Sequence, residues 1–396
     1  MKTATFQKSF PWKTEGKEYP SFELAPQFGR VPEYSWDLSD MQRQRVQRLL
    51  REEIVVSLHD HPHEYPADMS DLIPYVRSAH TRTGYEGLRA SGMTAVFDNL
   101  LDGYGCVCSS AGWKWEELIM DLGMRLCDFS KQDYVTVARN TSDIRAAHEQ
   151  GGLAIVLSLE ASTAIENEVD RIDMLYGFGV RQMGLVYSES NNLGSGLRER
   201  GDGGLSRFGE RCVKRMNDLG MVIDISHSSD RTCLDAIRLS TDPLLITHAG
   251  ARGVWPTRRM KPDEVLTACA ERGGVLGIEA APHTTVSRAH PKHSLESVMD
   301  HFTYCVDLMG IEHVSFGPDT LYGDHVGLHH AFDLGVHEDM ATWPDFEPVD
   351  YVAGLENPTE NFFNIIAWLV THDYSDAEIR MVIGGNTMRV LDQVWG

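Results

Sequence analysis

Ile54-Val55-Val56-Ser57-Leu58-His59-Asp60-His61 is an apolar run that ends in two histidines, and the arrangement returns down the chain. Leu153-Ala154-Ile155-Val156-Leu157-Ser158-Leu159 ends in Glu160, and Met221-Val222-Ile223-Asp224-Ile225-Ser226 ends in His227. Leu244-Leu245-Ile246-Thr247 ends in His248, and Val314-Ser315-Phe316-Gly317-Pro318 ends in Asp319. Short β-branched runs bounded by turn residues read as buried parallel strands. Ligand-type residues at the ends of several such strands meet only if the strands close into a barrel with its working face at their C-terminal ends. One buried histidine would carry little. Five strand ends bearing His, Glu or Asp point to a binuclear metal site.

Outward from these runs, strand-like segments at about 54–60, 93–98, 153–159, 181–187, 221–226, 244–248, 274–279 and 313–318 alternate with helix-like ones. Eight is the strand number of the α/β TIM-type (β/α)8 barrel. Helical periodicity covers 142–150, 168–176, 208–219, 231–238, 262–272 and 295–309, and an amphipathic helix over 40–53 feeds the first strand. Ser142 can cap its helix, and Pro262 stands at the start of another with Asp263 and Glu264 in the first turn. Gly151, Gly220 and Gly273 each follow a helix, where a left-handed residue closes it. Residues 1–36 read as an extended surface arm. The Gly-rich loop 191–206 and the His-rich loop 320–360 are long, and long loops at this face of a barrel cover its site. No linker or repeat divides the chain. A single barrel domain over 1–396 is expected, with 1–50 as an N-terminal arm and helix.

Composition narrows the partners. The 396 residues carry a formal net charge of -22 and no basic stripe, which argues against nucleic acid, since phosphates would be repelled. No apolar stretch reaches membrane-spanning length, and Met1 to Lys8 is basic without a following apolar region, so neither a signal peptide nor a membrane anchor is expected. The seven cysteines are odd in number and scattered apart from Cys106-Val107-Cys108, which lacks the two-residue spacer of redox and zinc motifs. Reduced thiols in a cytoplasmic protein are the expectation. A homodimer is entertained as its assembly.

His59 and His61, two apart on an extended segment, leave the same face and suit one metal. His63 follows that face if the strand continues, but Pro62 argues against continuation, and His63 reads as a rim residue. Glu160 closes a long apolar run where an uncompensated carboxylate is costly, and its two oxygens can bridge two cations. His227 and His248 end successive strands and offer nitrogen ligands suited to zinc at the second metal. Asp319 stands where a metal-activated water needs a proton acceptor and a leaving amine needs a donor, although an Asp there could equally cap the next helix. Arg259 can clamp a carboxylate bidentately, but Arg252, Arg258 and Lys261 crowd the same loop and a plain surface role is open.

Gly204-Leu205-Ser206-Arg207-Phe208-Gly209, followed by Asn217-Asp218-Leu219-Gly220-Met221-Val222-Ile223-Asp224-Ile225-Ser226-His227, resembles the membrane (renal) dipeptidase family. So do Gly384-Gly385-Asn386-Thr387-Met388-Arg389-Val390-Leu391, and His248 with Arg258-Arg259 and Pro262-Asp263 after it. The resemblance runs from about His59 to the end. It implies an amidohydrolase-like barrel with two divalent metal ions, zinc above others, that hydrolyses a dipeptide-like small molecule. On the matching positions, Glu160 is the bridging carboxylate, His227 and His248 hold the second metal, Arg259 takes the substrate carboxylate and Asp319 is the acid/base. Two positions depart. His59-x-His61 replaces the usual His-x-Asp, removing one negative charge from the metal shell. Tyr187 stands where the family presents a histidine to the substrate carbonyl, and its O–H can donate to an oxyanion. A deacylase or lactonase on the same scaffold, or a metal-binding homologue without peptidase activity, are the rival readings, since fold does not fix substrate.

Overall fold

β-Branched and apolar residues build eight parallel strands, and these frame the molecule. The computed structural model describes residues 7–100, 114–331 and 347–396. Cys106-Val107-Cys108 and part of the long His-rich loop lie outside the described residues. The strands are β1 Val56–Glu64, β2 Ala95–Asn99, β3 Leu153–Leu159, β4 Gln182–Gly184, β5 Val222–Asp224, β6 Leu245–Ala249, β7 Val275–Ile278 and β8 Val314–Phe316. Each pairs in parallel with the next in chain order. The segment after β8 completes the curl. The Asp319 N–H donates to the His59 carbonyl at 2.9 Å, the His61 N–H donates to the Thr320 carbonyl at 2.8 Å, and Leu321–Tyr322 pairs in parallel with β1. The α/β barrel read from the sequence is therefore the fold.

Strand alternation sorts the core into two layers. Val56, Leu58, Ala95, Phe97, Ala154, Val156, Val222, Leu245 and Val275 share one buried cluster with Met388, Val390, Leu391 and Val394 of the last helix, Asn386–Trp395. Most of these strand residues lie toward the strand starts, so the helix closes the end opposite the ligand-bearing one. The alternate residues, among them Val96, Ile155, Leu157, Ile223, Ile246 and Leu276, pack outward with Val213, Met216, Ile237 and Leu266 of the surrounding helices. Each fully buried Val, Leu, Ile or Phe contributes roughly 1.5–3 kcal/mol relative to exposure.

Several local expectations need correction. β1 runs through Pro62 to Glu64, with the short strand Arg82–Thr83 paired antiparallel to His63 and Glu64 and the Pro62 carbonyl accepting from the Gly84 N–H. The helix expected to start at Ser142 spans Thr141–Gln150 with Asn140 as its cap, whose side chain accepts from the Asp143 N–H. The expected C-terminal glycines do adopt positive φ at Gly151, Gly220 and Gly273. The N-terminal arm is not wholly a surface element. Phe10 is buried, with its N–H donating to Asp128 Oδ1 at 2.7 Å, and the Ala25 N–H joins the Tyr65 carbonyl at 2.8 Å. Among the described residues, no helix is long and apolar enough to cross a membrane.

Candidate metal centre

The strand ends bring the predicted residues together. Glu160 follows β3, His227 lies just beyond β5, and His248 is in β6. His227 Nε2 is 2.8 Å and His248 Nε2 is 3.2 Å from Glu160 Oε1, and the two imidazole nitrogens are 2.9 Å apart. On the other side of the pocket, Asp319 Oδ1 lies 3.3 Å from His59 Nε2 and 3.0 Å from His61 Nε2. The His59 and His248 rings stack with centroids 3.6 Å apart, so the two groups adjoin. Donor atoms of His59, His248 and Asp319 form one potential metal cluster, and those of Glu160, His227 and His248 form another.

Glycines let the strands approach this closely. A Cβ on Gly184 would stand 2.0 Å from the Glu160 carbonyl oxygen, and one on Gly317 would stand 2.0 Å from the Thr247 carbonyl oxygen and 3.1 Å from the His59 nitrogen. Asp319 itself has a positive φ of 57°, a region Asp tolerates better than most residues. Its backbone is held there by the N–H bond to His59.

The donor set fits a divalent cation. Burial holds His227 and His248 well below the ordinary imidazole range, so both face Glu160 as neutral imidazoles. Burial also lowers His59, and its Nε2 makes no hydrogen bond. Burial pushes Asp319 upward, but His59 and its neighbouring imidazoles outweigh this and hold it well below the carboxylate range. Two carboxylates among neutral imidazoles call for positive charge. The 2.8–3.2 Å donor spacing around Glu160 is near the ~3.4 Å edge of a tetrahedron with ligands ~2.1 Å from zinc.

Supporting groups set the tautomers. Ser226 Oγ donates to Asp224 Oδ1 at 2.6 Å, leaving Ser226 Oγ to accept from Thr247 Oγ1 at 3.1 Å. Thr247 Oγ1 can then accept from His248 Nδ1–H at 2.8 Å, which leaves the Nε2 lone pair facing the site. Asn99 lies 2.9 Å from His59 Nδ1 through its amide, and its Oδ1 makes no hydrogen bond. Amide O and N exchange by a half-turn, and with Oδ1 inward Asn99 fixes the same tautomer on His59. Asp60, between the two β1 ligands, points away from them. It accepts from Ser57 Oγ at 2.6 Å and from the Thr320 N–H and Oγ1 at 2.8 and 2.7 Å, and burial pushes its carboxyl up to about 6.

His63 is neither ligand nor rim residue. It is fully buried beside Asp98 at 2.9 Å, and Asp98 also receives Arg125 Nη1 at 2.6 Å. The register of β1 slips against both parallel neighbours, and such an irregularity re-aims the side chains beyond it. Tyr187 is half-buried and stacks on His227 with centroids 4.1 Å apart. His325, on the helix His325–Ala331, is buried with its ring 6.5 Å from that of His61, which places part of the His-rich loop against the pocket.

The crowded arginine loop resolves into distinct roles. Arg252 pairs with Asp230 at 2.6 and 2.9 Å, Arg258 Nη1 reaches the Glu199 carbonyl at 3.1 Å, and Lys261 Nζ donates to the Ser228 carbonyl at 2.7 Å. Arg259 alone of the four turns toward the ligands. It donates to the Ser226 carbonyl at 3.3 Å, to the His248 carbonyl at 2.9 Å and to Glu279 Oε2. Glu279, which follows β7, was not among the residues expected at the site. Burial pushes its carboxyl up to about 7 against the pull of Arg259.

Known proteins share this framework. Residues 43–334 match the family model described as membrane dipeptidase (peptidase family M19). The dipeptidase verJ of Clonostachys rogersoniana is 29% identical over 264 residues, covering 66% of this chain and 61% of that protein. The dipeptidase aclJ of Aspergillus oryzae is 28% identical over 266 residues, covering 66% and 57%. The matched stretch thus spans somewhat over half the length of these relatives. An amidohydrolase from Pseudomonas aeruginosa superposes with a TM-score of 0.72 at 24% identity, over 89% of this chain and 99% of that one. A metallo peptidase from Rhodobacter sphaeroides, liganded with a phosphinate mimic of the dipeptide L-Ala-D-Ala, gives 0.67 at 20% identity over 87% and 100%. At these identities the structural likeness concerns the fold.

Proposed function

Because the chain belongs to the membrane dipeptidase family, we propose that it is a metal-dependent dipeptidase hydrolysing the amide bond of a dipeptide or dipeptide-like molecule. The observation that carries this reading is the convergence of His59, His61, Glu160, His227, His248 and Asp319 from separate strand ends onto two adjoining donor groups. In this reading His59 and His61 would hold one ion, and Glu160, His227 and His248 would hold a second. Two zinc ions suit the nitrogen-rich donors. Such ions, when bound, supply Lewis acidity and make water a competent nucleophile at neutral pH. Asp319 Oδ1 takes the proton from the attacking water and delivers it to the leaving amine nitrogen. The Tyr187 hydroxyl donates to the oxygen that gains charge at the scissile carbonyl, and Arg259 anchors the substrate's C-terminal group. A cytoplasmic setting is proposed as well, in keeping with the five free cysteines among the described residues.

Protein purified without chelator and reconstituted with zinc should hold two ions per chain by elemental analysis and turn over members of a dipeptide panel. Less than one ion per chain would remove the binuclear site. Turnover confined to N-acyl amino acids or lactones would transfer the protein to a different hydrolytic reaction.

A further inference from the structure

Glu279 stands at the end of β7 with no exposed surface, and one of its oxygens, Oε1, makes no hydrogen bond. Its other oxygen takes Arg259 Nη2, which also serves the His248 carbonyl, while Nη1 serves Ser226. These bonds use three of the five N–H groups of the guanidinium. Of the other cations of the loop, Arg252 pairs with Asp230, while Lys261 and Arg258 donate to the Ser228 and Glu199 carbonyls. The Arg259–Glu279 pair therefore carries no net charge of its own. A substrate carboxylate arriving there must compete with a fixed carboxylate for the same fork. An uncharged acceptor, by contrast, does not call for net positive charge at the pair.

We propose that Glu279 is a specificity-determining residue, and that by neutralising Arg259 it selects dipeptide-like substrates whose C-terminal group is uncharged, a carboxamide or an ester-like carbonyl, over those ending in a free carboxylate. The substrate class rests on the hydrolytic reading above. The charge preference of the subsite rests only on the Arg259–Glu279 pair.

The test compares two phosphinate dipeptide mimics, one ending in carboxylate and one in carboxamide, by calorimetric titration of the zinc-loaded protein, alongside kcat/KM for a dipeptide and its C-terminal amide. The wild-type protein should bind the carboxamide at least as tightly as the carboxylate. Glu279→Gln keeps the shape and a hydrogen bond to Arg259 but removes the charge, and should shift the ratio toward the carboxylate by about tenfold or more. A residue that merely positioned Arg259 would be replaced by Gln without moving that ratio. The idea is overturned if the wild-type protein favours the carboxylate tenfold, a result that needs no variant, or if Glu279→Gln leaves the ratio unchanged. Binding with the expected preference but no turnover would sink the hydrolytic reading and leave this one standing. Binding of neither mimic would overturn both.

Discussion

Asp319 is the residue on which the proposed chemistry turns: its Oδ1 touches both β1 histidines while its backbone holds a left-handed conformation. As the proton carrier, it should be replaceable by Asn without loss of metal, with turnover falling on the order of a hundredfold to ten-thousandfold and substrate binding little changed. Elemental analysis beside steady-state rates checks this, and loss of an ion from Asp319→Asn would make it a ligand instead. The residues that converge were legible because each closes an apolar run that itself announces burial. Glu279 carried the same signal, ending Gly274-Val275-Leu276-Gly277-Ile278, but without a histidine beside it nothing drew attention to it. His63 was misplaced because a slip in strand register leaves no mark in residue type, and Asn99 and Thr247 act on the ligands through hydrogen bonds that only folding creates.

At the level of elements, strand contacts around Thr247 depend on the absence of a side chain at position 317. Gly317→Ala would drive a methyl group into the Thr247 carbonyl and crowd the His59 backbone, at a cost of about 1–3 kcal/mol. A lower melting temperature together with reduced metal occupancy is expected. An unchanged melting temperature would mean the strands yield freely. A second element-level prediction concerns Glu360, at the start of the helix Asn361–Thr371, beside a cavity of about 510 Å³ that Glu33, Tyr34 and Trp36 also line. Burial and the nearby Glu33 push its carboxyl up to about 7. The folded chain thus holds this proton more tightly than the unfolded chain, so stability falls as pH rises from the ordinary carboxyl range toward 7 and levels beyond it. Glu360→Gln should therefore raise the melting temperature by about a few degrees at pH 8 and hardly at pH 5. Equal effects at both pH values would count against this. All eight barrel strands could be read within a few residues, because buried runs and capping residues bracket them. The segments Arg82–Thr83, Val135–Val137 and Leu321–Tyr322 could not, since none lies within a longer apolar run.

Across the whole molecule, the two donor groups draw on strands from the first to the last of the barrel, so metal and fold should be coupled. Ions that bind only the folded chain add about 2.7 kcal/mol per site at a hundredfold excess over Kd. Chelation should accordingly lower the melting temperature by at least a few degrees, and zinc should restore it; calorimetry with and without chelator decides. Barrel closure was legible from the strand count, whereas the plug formed by Asn386–Trp395 was not, because nothing in an amphipathic C-terminal helix says which end of a barrel it covers. The seam between first and last strands has a consequence in time. Thr320 bonds Asp60 across 260 residues of chain, so on a ribosome adding roughly 5–20 residues per second β1 waits on the order of 13–50 seconds for its partner. Through that interval His59 and His61 are made but Asp319 is not. The nascent chain must keep an open strand edge from pairing with a stranger until the last strand is made.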